Sequence, residues 1–483
     1  GPPGAGKSIV ALTAALLWQA RGGGAVNIAT ITKQLQRQYT GYGLPIVGTV
    51  WGRSGYECVR LGPPETCEGA PCSLVLEDEM FDEEQGACKF KAGGCHYYDA
   101  KFRALYAPIR ILNYHYFMAT AHEFGYGKRS QSSPDTMLVC DESHLAEQAV
   151  MSAAEAFLSY HQLDSLGIRQ PPYRDLVELS DVWVDEALDK IKKAMIQFEA
   201  VGDWKATARL ERLKRRLHNL RRTDDKIFND DGIRLLARPI WGSGYAESLL
   251  WAHATTVVLM SATPGSDWYI EQTLGIRPQD RLVLNSVFPV ANRPCYIWPI
   301  APVSHRSSAE DREHAFKVID WILSRYSGKG VVHTGSYRLA REYVQKTQWK
   351  SRLVYHDSQG TEAVVRSFIQ SDPFQGRVLV SPVVGTGFDC SDLAFQVIAK
   401  VPFPDLGDEV VLARKKDLPV TYGGAAALSV VQAYGRAVRN ETWKGDTWIT
   451  DSNITHLLKS QKAMFSRYFT EAVQWVSGRV PER

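Results

Sequence analysis

The chain has 483 residues, 45% hydrophobic and 23% charged, with a net charge of +3. That is too long for one ordinary core, so about two to four domains are expected, and the charge is too small to argue for a polyanionic partner, so any basic binding surface must be local. No apolar run approaches the roughly 18 to 20 residues a membrane span needs and no basic-then-apolar leader opens the sequence; the protein reads as cytoplasmic, without a membrane partner, and is taken as a monomer.

The chain opens on GPPGAGKS, which fits G-x-x-x-x-G-K-[ST] with Gly1, Gly6, Lys7 and Ser8, and Gly4 between them. Glycines in this pattern let backbone N–H groups close around phosphates. The lysine reaches the β and γ phosphates, and the Ser8 hydroxyl is placed to ligate Mg²⁺. The following SIVALTAALLWQA has helical apolar spacing, which sets the phosphates at a helix N-terminus. Such a loop follows a buried strand, so a strand with its lead-in, about 20 to 40 residues, is expected upstream of Gly1. AVNIAT then reads as a strand, followed by TITKQLQRQY.

Five of the eight cysteines crowd into residues 58 to 95: Cys58, Cys67, Cys72, Cys88 and Cys95. In a chain read as cytoplasmic, clustered thiols point to metal or cluster ligands rather than disulfides. Four thiolates suit zinc or an iron–sulfur cluster. Zinc sites favour tight C-x₂₋₄-C pairs, and only Cys67 and Cys72 come close, so the wide spacing favours a cluster held by loops.

TMLVCDESHLAE carries an apolar strand that ends on Asp141-Glu142-Ser143-His144, where open parallel sheets place ligands. Asp141 is the expected Mg²⁺ carboxylate and Glu142 the residue that orients and deprotonates the attacking water. Val184, Leu188, Ile191, Met195 and Phe198 repeat at steps of three and four. Ala206, Leu210, Leu213, Leu217 and Leu220 do the same. These runs predict an antiparallel helical hairpin. Its second helix is basic (Lys205, Arg209, Arg212, Lys214, Arg215, Arg216, Arg221, Arg222 against Glu211). Such a run is more often a solvated face than a ligand site, and at most a few of these residues are expected on DNA.

The second half alternates apolar strands with helical stretches, which implies a parallel sheet covered by helices. GVVHTGSY, RVLVSPVVGTGFDCSD, FQVIAKV and TWITD supply its strands, and VVLMSATPGS ends a strand ahead of them. VVQAYGRAVRN sets Gln432, Arg436 and Arg439 at steps of four and three, which predicts one helix face. Arginines so far from the P-loop suit the extra positive charge a phosphoryl group needs in transition.

The order GPPGAGKS, TITKQLQRQY, cysteine group, DESH, SAT, HTGSY, GTGFD and QAYGRAVR resembles superfamily 2 DNA helicases. The cysteines between the P-loop and DESH narrow the resemblance to the XPD/DinG group. It implies an α/β fold of two RecA-like parallel-sheet motor lobes, with a cysteine-rich cluster insertion and a helical arch insertion in the first. Laid on this chain, lobe 1 takes residues 1–51, 102–150 and 236–268, the cluster insertion 52–101, the arch 151–235 and lobe 2 residues 269–483.

The resemblance further implies ATP and Mg²⁺ bound between the lobes and 5′-to-3′ movement on single-stranded or forked DNA. Lys7, Ser8 and Asp141 would hold phosphate and metal, and Gly387 and Asp389 would join the nucleotide site. Arg436 and Arg439 would stabilise the phosphoryl group, with Gln432 sensing it. Thr32 and Lys33 resemble the motif that grips the DNA backbone, and Arg53 is a further phosphate-contact candidate. GRSGYEC resembles the segment of the first ligand to a [4Fe–4S] cluster, which gives Cys58. CHYY resembles CPYY at the last, which gives Cys95, with His96 in place of proline. Cys88 would be the third ligand, and Cys72 is taken as the fourth with Cys67 as its alternative.

This sequence departs from the family in three places. Ser143 stands where these helicases carry alanine, the acidic residue after the second arginine is displaced to Glu441 or Asp446, and the adenine-reading segment would fall upstream of Gly1. The rival reading is a nucleic-acid binder that uses ATP as a switch without unwinding. Glu142 and the two arginines, which a switch could lose, argue against it.

Overall fold

The computed structural model describes residues 5–68, 70, 94–124, 135–171, 181–201, 203–220, 226–304, 307–357, 361–382, 388, 390, 392–438 and 442–478. Two compact units emerge. One comprises Ser8–Met260 with Ile270–Arg277, the other Gly1–Lys7, Ser261–Tyr269 and Pro278–Arg483.

The first unit holds strands β1 (Val26–Thr30), β2 (Val47–Thr49), β3 (Ile109–Asn113), β4 (Met137–Cys140), β5 (Ala156–Ser159), β6 (Lys226–Asp230), β7 (Arg234–Pro239) and β8 (Thr256–Leu259). Five of them form an all-parallel sheet in the order β2-β3-β1-β4-β8. Every residue of β1 and β4 is buried, as strands covered on both faces must be. Successive side chains point to opposite faces, and the two apolar layers follow that alternation. Ile28, Ile111 and Val139 pack with Ala11, Leu12 and Ala15 of helix α1 (Lys7–Ala20). Their neighbours Ala29, Leu112, Leu138 and Cys140 pack with Tyr114, Phe117 and Trp251. The C-terminal ends of the parallel strands therefore open on one edge. There β1 leads to Thr32 and helix α2 (Lys33–Thr40), and β4 leads to Asp141.

The expected helical hairpin is present, from helix Asp181–Ala200 to helix Trp204–Leu220. Val184, Ile191, Leu210, Leu213, Leu217 and Leu220 are buried in its seam, with Leu188, Met195 and Phe198 partly so. The sequence did not announce what the hairpin rests on. A three-stranded antiparallel sheet, β5-β7-β6, turns Leu158, Leu235 and Ala237 into the same core. Its strand β7 runs on to Pro239.

The second unit carries β9 (Cys295–Ala301), β10 (Gly330–His333), β11 (Leu353–Tyr355), β12 (Val378–Ser381), β13 (Phe395–Ile398), β14 (Asp446–Asp451) and β15 (Val473–Trp475). All seven are parallel, in the order β11-β12-β10-β13-β14-β9-β15. Val332, Val380 and Val397 meet Phe316 and Ile319 of helix Ala309–Arg325, which starts on a capping box between Ser308 and Asp311. Ile398 and Ile449 meet Ala426, Ala427 and Val430 of helix Pro419–Tyr434. Two parallel sheets with helices on their faces fit the expected α/β class.

Gly330 begins β10 because nothing larger fits: a Cβ there would stand 2.3 Å from the Phe395 ring. That ring is fully buried and stacked on Tyr326 at 4.5 Å between centroids. Gly330→Ala should destabilise the second unit by about 1–3 kcal/mol through overpacking. The check is the urea midpoint of its unfolding, and an unchanged midpoint would contradict the packing described.

Candidate nucleotide and nucleic-acid site

Gly1 and Gly4 lie outside the described residues. Gly6 has φ +66°, a left-handed conformation open to glycine at little cost, although nothing crowds the place a Cβ would take. Lys7 opens α1, and Ser8 beside it is buried. The unpaired N–H groups of the first helical turn are thus set at the loop, as phosphate binding requires.

Asp141 is buried at the end of β4, with its N–H donating to the Ala29 carbonyl of β1 at 2.9 Å. One carboxylate oxygen, Oδ1, accepts from the Glu142 N–H at 2.9 Å. The other, Oδ2, accepts from the Tyr39 hydroxyl at 3.0 Å. The Tyr114 hydroxyl donates to the Asp141 carbonyl at 2.9 Å. Tyr39 and Tyr114 are fully buried. Burial first, and the adjacent carboxylates second, push the Tyr39 phenol far above its ordinary range, so it stays a donor. Tyr39 also interacts with the Ser8 hydroxyl, and Gln38 Nε2 donates to Ser8 Oγ at 3.3 Å. Two neighbouring residues of α2 therefore join Ser8 and Asp141, the two candidate Mg²⁺ ligands.

Glu142 is the single described non-glycine residue with positive φ, at 48°. Such a conformation costs of order 1–3 kcal/mol and persists where surroundings impose it. Here Asp141 Oδ1 holds the Glu142 N–H, and the Ser143 N–H donates to the Met260 carbonyl after β8 at 2.9 Å. The turn lifts the Glu142 carboxylate off the strand, where it meets His144 Nδ1 at 3.4 Å.

The three candidate nucleic-acid contacts gather at the other end of α2. Thr32 caps the helix, accepting from the Leu35 N–H at 3.2 Å. Lys33 is exposed, and its ammonium reaches Gly55, where a Cβ would stand 3.5 Å away. Gly55 closes the short turn that begins with Arg53. The Arg53 guanidinium lies over Tyr97 at 4.3 Å and Tyr98 at 5.4 Å, and Arg37 lies over Trp51 at 5.2 Å. Tyr97 and Tyr98 are buried, so their rings hold the Arg53 guanidinium in place by cation–π attraction, while Lys33 and Arg37 are exposed.

In the second unit, Gln432 Nε2 donates to Thr263 Oγ1 of the SAT segment at 3.3 Å. The expected continuous helix through Gln432, Arg436 and Arg439 does not form. The helix ends at Tyr434 with Gly435 as its cap. The chain tightens there into i+3 bonds, with the Arg436 and Ala437 N–H groups on the carbonyls of Ala433 and Tyr434 at 3.1 and 3.4 Å, and the Gln396 amide of β13 shares the same two carbonyls at 2.9 and 3.2 Å. Arg436 falls in the turn that follows, where its Nη1 donates to the Phe388 carbonyl at 2.9 Å. Arg439, Gly387 and Asp389 lie outside the described residues.

Residues 319–472 match the family model of the helicase C-terminal domain. No curated protein sequence matches the chain at a significant level. Among solved structures, an XPD helicase aligns over 99% of this chain and 95% of its own, with TM-score 0.63 and 15% identity. An apo XPD aligns over 99% and 96%, with TM-score 0.58 and 15% identity. S. tokodaii Xpd4 aligns over 99% and 95%, with TM-score 0.58 and 14% identity. The chain has the XPD helicase fold.

In this XPD-type fold the cysteine insertion lies partly in view. Cys72 and Cys88 fall outside the described residues. Cys58 and Cys67 flank the antiparallel bridge between Glu57 and Thr66, and both are buried with Cys95 in one apolar cluster. Buried thiols with no disulfide suit a sealed sulfur site. Among the described residues, however, no three His, Cys, Asp or Glu side chains stand close enough to hold a metal.

Sequence reasoning missed Gln38, Tyr39, Tyr114 and Gln396, and gave His333 no role beyond its place in HTGSY. Their spacing looks like helix and strand core, and only the polar tips betray a further role. His333 Nε2 bonds Gln396 Oε1 at 3.1 Å. Burial, and less strongly the Arg436 charge, push the imidazole down to about 4 against the raising effect of that bond. Between about pH 6.5 and 4 the unfolded chain then binds a proton that the folded one refuses, so stability falls as pH falls through that window. His333→Gln should lose this part of the slope. Denaturation midpoints from pH 7 down to 4.5 should rise in the variant relative to the parent, and a constant difference would contradict the shift.

Proposed function

We propose that this protein is an ATP-dependent translocase and helicase on single-stranded or forked DNA, moving 5′ to 3′ in a cytoplasmic setting. The observation that carries the reading is the joining of Ser8 to Asp141 through Gln38 and Tyr39, on a P-loop unit whose fold is that of the XPD helicases. Support from the other unit is its match to the helicase C-terminal domain.

In this reading Lys7 binds the β and γ phosphates, and Ser8 and Asp141 hold Mg²⁺, whose chemistry is to neutralise the charge on the phosphate oxygens. Glu142, presented off the strand by its left-handed backbone, takes a proton from the attacking water. Arg436 and Arg439 supply positive charge to the phosphoryl group, and Gln432, tied to Thr263, reports its state. Gly1, Gly4, Gly6, Gly387 and Asp389 complete the nucleotide contacts. Thr32, Lys33 and Arg53 hold the phosphodiester backbone.

A [4Fe–4S] cluster is proposed on Cys58, Cys88 and Cys95. Cys72 is the proposed fourth ligand, because Cys58, Cys67 and Cys95 do not stand together as one donor set. The cluster would stiffen the insertion that carries Arg53.

Lys7→Ala should abolish DNA-stimulated ATP turnover and leave DNA binding largely intact, and equal turnover in variant and parent would overturn the site assignment. Purified protein should contain about four irons and four labile sulfides per chain. Cys95→Ser should lose the iron and spoil unwinding more than basal ATP turnover. One zinc and no iron would remove the cluster from the reading.

A further inference from the structure

Helix α2 is short, and each of its ends does something different. At its start stand Thr32 and Lys33, with Lys33 reaching the turn of Arg53, whose guanidinium lies over the buried rings of Tyr97 and Tyr98. At its end stand Gln38 and Tyr39, on Ser8 and Asp141. Six steps from Lys33 to Tyr39 put these ends only about 9 Å apart along the helix axis, at 1.5 Å rise per residue.

Between them sits a fulcrum. Gln36 is completely buried, and its Nε2 donates to the Val50 carbonyl at 3.3 Å and the Ile111 carbonyl at 3.2 Å. The helix is thus pinned to β3, and to the end of β2, near its middle. Both ends are fixed locally as well, by the Thr32 cap and by the Gly41 N–H bonded to the Arg37 carbonyl at 2.8 Å. A short, capped helix pinned at its centre moves as one piece. A shift at Lys33 must then appear at Tyr39, because no flexible residue intervenes to absorb it.

We propose that α2 is the lever that couples the nucleic-acid strand to the metal–nucleotide site, with Tyr39 and Gln38 as positioning residues for the two Mg²⁺ ligands Asp141 and Ser8. The proposal rests on the reading of those sites given above. Its physical content is a coupling free energy. Strand binding at Lys33 and Arg53 changes the hydrogen bonds that orient Asp141 and Ser8, so DNA alters the affinity for Mg²⁺–nucleotide, and by reciprocity the nucleotide alters the affinity for DNA.

The test is a binding measurement that needs no turnover. Fluorescent N-methylanthraniloyl-ADP is titrated into the full chain, with and without a thymidine oligonucleotide, in Mg²⁺ and again in excess EDTA. In the parent, DNA should change nucleotide affinity by about five-fold or more, and EDTA should remove the effect. In Tyr39→Phe the factor should fall to within about two-fold of unity, while DNA affinity measured without nucleotide stays that of the parent. Gln38→Leu, a change at an exposed position of α2, should lower the factor in the same direction, and it carries the test if Tyr39→Phe does not fold. Parental coupling in whichever of these variants folds would overturn the proposal, as would equal coupling in EDTA. Binding of both ligands by the parent with no coupling would also overturn it and leave the functional reading standing. A parent that binds neither ligand would overturn the functional reading itself.

Discussion

The first lobe depends on a carboxylate taken out of water. Asp141 ends a strand buried on both faces, and a buried charge without partners is costly enough, at about 3–5 kcal/mol when one partner is removed, to dictate its surroundings. Its carboxylate accepts from the Tyr39 hydroxyl and the Glu142 N–H, while its own N–H ties the strand end to the Ala29 carbonyl. These donors fix the orientation of the carboxylate at the strand end. The left-handed backbone at Glu142 follows from the same contact, since Asp141 Oδ1 turns back onto the next N–H.

Much of this was legible in the sequence. The strands that carry DESH, HTGSY and GTGFD read as unbroken apolar runs, because parallel strands covered on both faces have no polar side to show. The helical hairpin was visible because an amphipathic period of three and four survives over two long runs. The antiparallel sheet beneath it was not, since AFLS, KIFND and RLLARP are each too short to establish a period of two.

The site divided along a similar line. Motif residues such as Ser8, Asp141 and Gln432 carry chemistry that shows in their type and spacing. Tyr39 does not, because a tyrosine three residues after Gln36 on a helix reads as core, and only the fold brings its hydroxyl to a residue 102 positions away. The helix expected through Arg436 failed for a related reason. Helical spacing continues in QAYGRAVR, but spacing says nothing of a glutamine on a distant strand that shares the last carbonyls.

The two lobes solve one mechanical problem in the same way. Each holds a helix against its sheet, and each uses a fully buried glutamine to do so. Gln36 bridges α2 to the carbonyls of Val50 and Ile111, and Gln396 bridges β13 to Ala433 and Tyr434 while its oxygen takes His333. An amide suits this place better than a charged group. It carries donors and an acceptor on a short planar frame, and its burial incurs no ionic desolvation. Its strength is also nearly independent of pH, unlike that of the neighbouring histidine. A helix held by such a group keeps its geometry whatever the protonation state of the side chains around it.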